Sequence, residues 1–181
     1  KIYIIMIRKY LALILITFVI NNYVYSAASS TSSSGAKSDG RQDNSYLEVK
    51  NSNYKKGFDA LKQAKRYAKK GKKDKSKKRF NDAAKFFTLA NEEFPNQPDI
   101  LNYLGYTFRK IGDFTMAEIY YEQGLAIDPM HIGINEYLGE LYLETNRIDK
   151  ARERLIVLKD CKCEEYEELK NLISKYWFIL N

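Results

Sequence analysis

A pattern returns every 34 residues in the middle of this 181-residue chain. Leu104-Gly105 comes back as Leu138-Gly139, and Ala117 comes back as Ala151. One step earlier, Gly71, Ala83, Phe87 and Pro95 stand against Gly105, Ala117, Tyr121 and Pro129. A fixed period of this length means a stacked array, because one such unit cannot bury its apolar face without a neighbour.

Residues 98–131 read as a pair of helices. Leu101, Leu104 and Phe108 share one helical face. Gly112-Asp113 then supplies a helix stop followed by an acidic N-terminal residue. Phe114, Ala117, Tyr121 and Leu125 lay down a second stripe, closed by Asp128-Pro129. Gly105 and Ala117 are small where two antiparallel helices would meet, with Leu104, Phe108 and Tyr121 filling the space around them.

These residues resemble the tetratricopeptide repeat. Its first helix has a large apolar residue, a Leu-Gly pair and an aromatic, here Leu101, Leu104-Gly105 and Phe108. Its second has Ala, an aromatic, a small residue and then Pro, here Ala117, Tyr121, Gly124 and Pro129. A third unit counted from Ile132 keeps Leu138-Gly139, Tyr142 and Ala151, with Leu155 for the second aromatic. It departs from the pattern at Asn135, Leu158 and Cys163. The first unit keeps Phe80, Ala83, Phe87, Ala90 and Pro95, so its second helix is expected over residues 81–94. Lys70 and Asp74 stand where Leu and an aromatic belong, which points to an insertion and a first helix running from Tyr54.

The resulting expectation is an all-α fold: a right-handed α-α superhelix of about three helix pairs and a C-terminal capping helix. Its repeat domain would span 46–160, with units 54–97, 98–131 and 132–160, a basic insertion at 69–79 and the cap at 161–181. The three prolines, at 95, 98 and 129, all fall at unit boundaries, and no strand-like alternation persists beyond Ser45. In the cap, Tyr166, Leu169, Leu172, Ile173 and Tyr176 share a face, and glutamates crowd the N-terminal turn. Its tail, Trp177 to Leu180, is more apolar than a cap requires and reads either as packing on the third unit or as a docking point.

At the other end Met6 reads as an initiator, followed by Arg8-Lys9, an apolar run from Tyr10 to Ile20, and small residues around Ser26 and Ala28. That order is the order of a secretory signal peptide over 1–26. An uncleaved anchor is the rival, but the run is short of the roughly 20 residues that a span needs. A Ser-rich segment, 27–45, is too poor in apolar bulk to offset its ordering entropy and reads as a disordered linker. An export signal, with the Lys, Ile, Asn and Tyr usage of an AT-rich genome, points to the bacterial periplasm or, if the signal is kept, an anchored envelope protein.

The formal charge of +7 hides a split. Residues 1–80 hold 19 Lys/Arg against 5 Asp/Glu, whereas 81–181 hold 11 against 18. Lys69, Lys70, Lys72, Lys73, Lys75, Lys77, Lys78 and Arg79 concentrate the positive charge. Such a run reads as a solvated helix extension and turn, or as a patch for an anionic membrane surface or polymer. It has no interleaved aromatic for bases to stack on, which argues against nucleic acid.

No phosphate-binding glycine loop, nucleophile elbow or Cys–His dyad occurs, so neither an enzyme nor a cofactor is expected. His131 has no companions at metal-ligand spacing and reads as an ordinary loop residue. Cys161 and Cys163 can pair in an oxidising compartment, and acidic neighbours disfavour a reactive thiolate, leaving a redox accessory as the weaker reading.

The resemblance implies that a peptide or partner helix lies along the concave wall made by the first helices. Carried over residue by residue, that groove comprises Asn102, Tyr106, Arg109 and Lys110, then Glu136, Glu140, Leu143 and Glu144. It would be basic on one unit and acidic on the next. Tyr106 and Arg109 are the expected anchors, since partner surfaces rest on a few aromatic and Arg side chains. The Lys/Asn set with which the family clamps chaperone tails is missing.

Overall fold

The computed structural model of the protein describes residues 52–180, and side chains as far as Tyr176. The segments read above as an export signal and a Ser-rich linker, and the side chains of the apolar tail, lie outside them. Within that range the chain forms α1 (Ser52–Lys69), α2 (Lys73–Glu93), α3 (Pro98–Ile111), α4 (Phe114–Ile127), α5 (Ile132–Glu144), α6 (Ile148–Val157) and α7 (Glu164–Leu180). A 3-10 turn, Leu158–Asp160, follows α6, and no strand occurs among the described residues. The architecture is the expected right-handed superhelix of three antiparallel helix pairs with α7 closing the end.

The middle unit shows how the sequence sets its own boundaries. Pro98 takes the first position of α3, where the N–H it lacks would have no partner inside the helix. Gly112 ends that helix in the left-handed region at φ 96°, and its N–H reaches the carbonyls of Arg109 and Phe108. The Asp113 carboxylate then accepts from the Met116 N–H at 3.1 Å and starts α4. Asn146, at φ 58°, occupies the equivalent turn 34 residues later.

Each unit packs a glycine against a large side chain. A Cβ on Gly105 would run into the Tyr121 ring, and one on Gly57 would come within 2.8 Å of the Phe87 ring. One core runs from Tyr54 to Tyr106 and includes Phe80, Phe87 and Leu104. A second runs from Ala117 to Ile173 and includes Tyr121, Leu138 and Leu169.

The first and third units both correct the reading from sequence. Gly57, not Gly71, does in the first pair what Gly105 does in the second; Gly71 sits in the turn at φ 69°. Gly57 and Gly105 are 48 positions apart while Ala83 and Ala117 keep 34, so the first hairpin holds 14 additional residues. They lengthen both helices by about two turns, and seven residues is close enough to two turns to leave the facing stripes in phase. The second helix therefore starts at Lys73, not at position 81, and most of the basic run is helical. Near the tip, the Ser76 hydroxyl donates to the Ala64 carbonyl at 2.9 Å and clasps the two helices.

In the third unit α6 has only 10 residues. Leu155 does not take the place that Tyr121 holds. Instead Leu169 of α7 lies against Gly139, 2.6 Å from where a Cβ would stand. The capping helix thus completes the last pair.

Candidate functional site

The first helices α1, α3 and α5 stand side by side and share an aromatic wall. Ring centroids of Phe58 and Tyr103 are 5.6 Å apart, and those of Tyr106 and Tyr137 are 5.1 Å apart. Three cations approach the Tyr106 ring: Lys65 at 4.6 Å, Lys110 at 5.3 Å and Arg109 at 5.6 Å from its centroid. Cation–π contacts of this kind hold the ring in place and keep the lysines close to the wall. Burial pushes the Tyr106 hydroxyl up to about 12.

Arg109 is not presented to a ligand. Only 3% of the residue is exposed, and Nη1 pairs with Glu140 at 2.6 Å and Glu144 at 2.8 Å on the next unit. Burial pulls its pKa down, but Tyr121, Glu140 and Glu144 outweigh that and leave it raised. The Tyr121 hydroxyl, buried beneath the guanidinium, interacts with it as well. A buried guanidinium that lost its carboxylates would be strongly unfavourable, so this ion pair ties α3 to α5. The alternation of a basic and an acidic unit is real in sequence, yet its strongest charge is neutralised across the repeat interface.

Other groove residues divide in the same way. Leu143 is withdrawn from the groove, because it is 1% exposed and belongs to the second core. Asn102 is buried, with its amide against Gly133, and Tyr106 keeps 9% of its surface. Lys110 and Glu144 are exposed, and Glu140 is half-buried. Glu136 is buried, and its carboxyl is pushed up to about 9 by desolvation, a hydrogen bond with Glu168, and the charges of Glu140 and Glu165. It is protonated at neutral pH. Two carboxyls of the capping helix therefore belong to this acidic end.

Sequence reasoning missed Lys62 and Lys65. Lys62 lies 4.5 Å from the Phe58 centroid, and both lysines sit on α1. Aligning Gly57 with Gly105 sets Lys62 against Lys110 and so on the wall, while Lys65 belongs to the extension beyond it; the better-spaced Gly71 hid this. His131 is also no bystander. It caps α5, Nδ1 accepting from the Ile134 N–H at 3.1 Å while Nε2 faces Asp99 at 3.2 Å, which suits the Nε2–H tautomer. Asn135, where the family pattern has a large apolar side chain, instead donates at 3.0 Å to the carbonyls of Pro129 and His131 and holds the turn.

The basic run surrounds the hairpin tip. Lys69 ends α1, Lys70 and Lys72 lie in the turn, and Lys73, Lys75, Lys77 and Lys78 project from the first turns of α2. All seven are exposed, whereas Arg79 pairs with Asp82 at 3.0 Å. Cys161 and Cys163 are joined as a disulfide between the 3-10 turn and α7. No group of three or more His, Cys, Asp or Glu side chains among the described residues is placed to hold a metal ion.

Residues 98–131, the α3–α4 pair with its turns, match the tetratricopeptide repeat family. No curated protein matches the chain. Among solved structures, the first TPR of Spaghetti (RPAP3) bound to the HSP90 peptide SRMEEVD is similar at a TM-score of 0.51. It is 16% identical over 70% of this chain and 94% of that one. The Arabidopsis OM64 TPR domain gives 0.52, at 15% identity over 68% and 98%. The TPR2B domain of yeast Sti1 in its pHsp70 complex gives 0.52, at 16% identity over 67% and 95%. The chain therefore contains a tetratricopeptide repeat, and its fold is the helical solenoid of such domains.

Proposed function

We propose that the protein is a non-enzymatic adaptor of the cell envelope that holds a peptide or partner helix against the wall of α1, α3 and α5. The observation that carries this reading is the row of aromatic rings across three successive first helices. Lys62 and Lys65 of α1 stand against its rings, Lys110 of α3 lies near Glu140 and Glu144 of α5, and Glu165 and Glu168 of α7 lie near Glu136. Rings supply rigid contact area at low entropic cost, and charges of both signs fix the direction of a bound segment. In a crosslinking pull-down from cell extract, Tyr106→Ala and Lys110→Glu should each reduce capture of a partner while helicity is retained. Equal capture by wild type and both variants would refute the wall as the binding face.

The signal-like order of residues 1–26 supports export to the periplasm, with retention as an N-terminal anchor the alternative. The Cys161–Cys163 disulfide suits such an oxidising compartment. Fractionation with N-terminal mass analysis tests this: a mature chain in the cytosol fraction would count against it.

The exposed hairpin tip favours a second reading, attachment to an anionic lipid or polymer through Lys69–Arg79. Each lysine near an anionic surface contributes about 1 kcal/mol at low salt and is screened as salt rises. Sedimentation with phosphatidylserine vesicles should fall steeply between low and physiological salt and vanish on deletion of Lys72–Lys78. Binding that survives both changes would exclude the tip.

A further inference from the structure

The surface that carries the aromatic wall does not stop where α3 stops. On α1, Phe58, Lys62, Lys65 and Lys69 are spaced four, three and four residues apart and so fall on one face. Two contacts show that this face is the one turned to the wall. Phe58 meets the Tyr103 ring, and Lys65 reaches the Tyr106 ring of α3, 4.6 Å from its centroid. With Gly57 aligned on Gly105, Lys62 is level with Lys110 in the last turn of α3, while Lys65 and Lys69 belong to the extension of the first hairpin. All three lysines are exposed, and Asp74 is the one acidic residue between positions 62 and 81. The rings thus lead into a rail of cations that climbs toward the hairpin tip.

On the α5 side the sign is reversed. Glu140 and Glu144 pair with Arg109 and lie near Lys110. A segment laid on the rings therefore meets cations in one direction and carboxylates in the other. One exposed ion pair contributes little, so selection by charge needs several cations in a row. From Lys62 to Lys69 the rail rises about 10 Å, which an extended chain covers in about three to four residues.

We propose that this surface selects a two-part segment of a partner protein. Its apolar or aromatic side chains lie on the rings, and a run of about four Asp or Glu continues along Lys62, Lys65 and Lys69. The inference rests on the wall as the binding face and adds the partner's charge and direction. Lys65 and Lys69 stand on the additional turns of α1, so the rail is a feature of this chain and has no counterpart in the 34-residue unit beside it.

The test titrates the full chain with labelled synthetic peptides and reads fluorescence anisotropy at physiological salt, where distant charges are screened. Each peptide has a Leu/Tyr half with a tail of Glu, Gln or Lys at one end or the other. The Glu tail should tighten binding at least about tenfold over the Gln tail, equivalent to about 1.4 kcal/mol. Lys65→Glu combined with Lys69→Glu should abolish that gain, the milder Lys65→Gln with Lys69→Gln should reduce it, and Tyr106→Ala should weaken every peptide. Lys85→Glu reverses an exposed charge nine residues from Ser76, on the side of α2 opposite α1, and should keep the gain. Circular dichroism checks that each variant is folded. A Glu tail no better than Gln, with the dependence on Tyr106 intact, would overturn the rail and leave the wall standing. Binding that ignores Tyr106→Ala would refute the wall and the rail with it. A comparable loss in Lys85→Glu would reduce the effect to net charge, and equally tight binding of a peptide of Glu alone would make the surface a polyanion site; either result overturns the proposal.

Discussion

Gly105 and Glu136 show how much a single position decides here. Gly105 is small because the Tyr121 ring occupies the space a methyl would need, and both are fully or nearly buried. Gly105→Ala, or Ala117→Leu on the facing helix, should overpack the pair and cost about 1–3 kcal/mol. An unchanged melting temperature in either variant would contradict the packing. Glu136 makes a prediction about pH. Its folded pKa, about 9, lies above the ordinary Glu value of about 4.3, so the native state binds the extra proton. That contribution is complete below the unfolded pKa and is lost as pH rises toward 9. Thermal melts should therefore show stability falling across that window, and Glu136→Gln should flatten the fall and raise the melting temperature at pH 8. A parallel decline in both proteins would remove Glu136 as its source. Asn135 and His131 mark the limit of reading from sequence. Their roles arise from carbonyls and carboxylates brought near by the turn, and no periodicity announces them.

At the scale of elements, the 34-residue period made the α3–α4 pair and the helical nature of the rest legible. The first hairpin was misaligned because its additional residues preserve phase. A shift by about two turns leaves Ala83 and Phe87 facing inward, so the apolar pattern carries no scar. Only the contact between Gly57 and Phe87 identifies the true register. The last unit misled for the opposite reason: α6 is short, and the partner for Gly139 comes from beyond it. Leu169→Ala should consequently destabilise the last helix pair, not merely fray the end, by about 2–5 kcal/mol. Hydrogen exchange would test this; loss of protection in α5 as well as α7 is expected, and loss confined to α7 would refute it.

Across the whole domain, charge is sorted by structure more than by sequence. The sequence suggests a basic half and an acidic half, and an opposition between Arg109 and the glutamates of the next unit. In the fold that opposition is spent internally, because Arg109 lies between Tyr106 and Tyr137 with Glu140 and Glu144 closing over it. The tip of the first hairpin retains exposed cations. Of the expected groove residues, Lys110 and Glu144 are exposed, whereas Leu143 fills the core. Burial depends on neighbours contributed by α7, which lie too far along the chain for a spacing argument to reach.

The two additional turns of the first hairpin have a geometric consequence. At about 1.5 Å per residue, seven residues carry the lysine cluster about 10 Å past the end of the neighbouring pairs. That distance matches the Debye length at 0.1 M salt, about 10 Å. Whatever anionic body the arm meets is felt there as a local encounter, with the carboxylates of the later units electrically out of earshot.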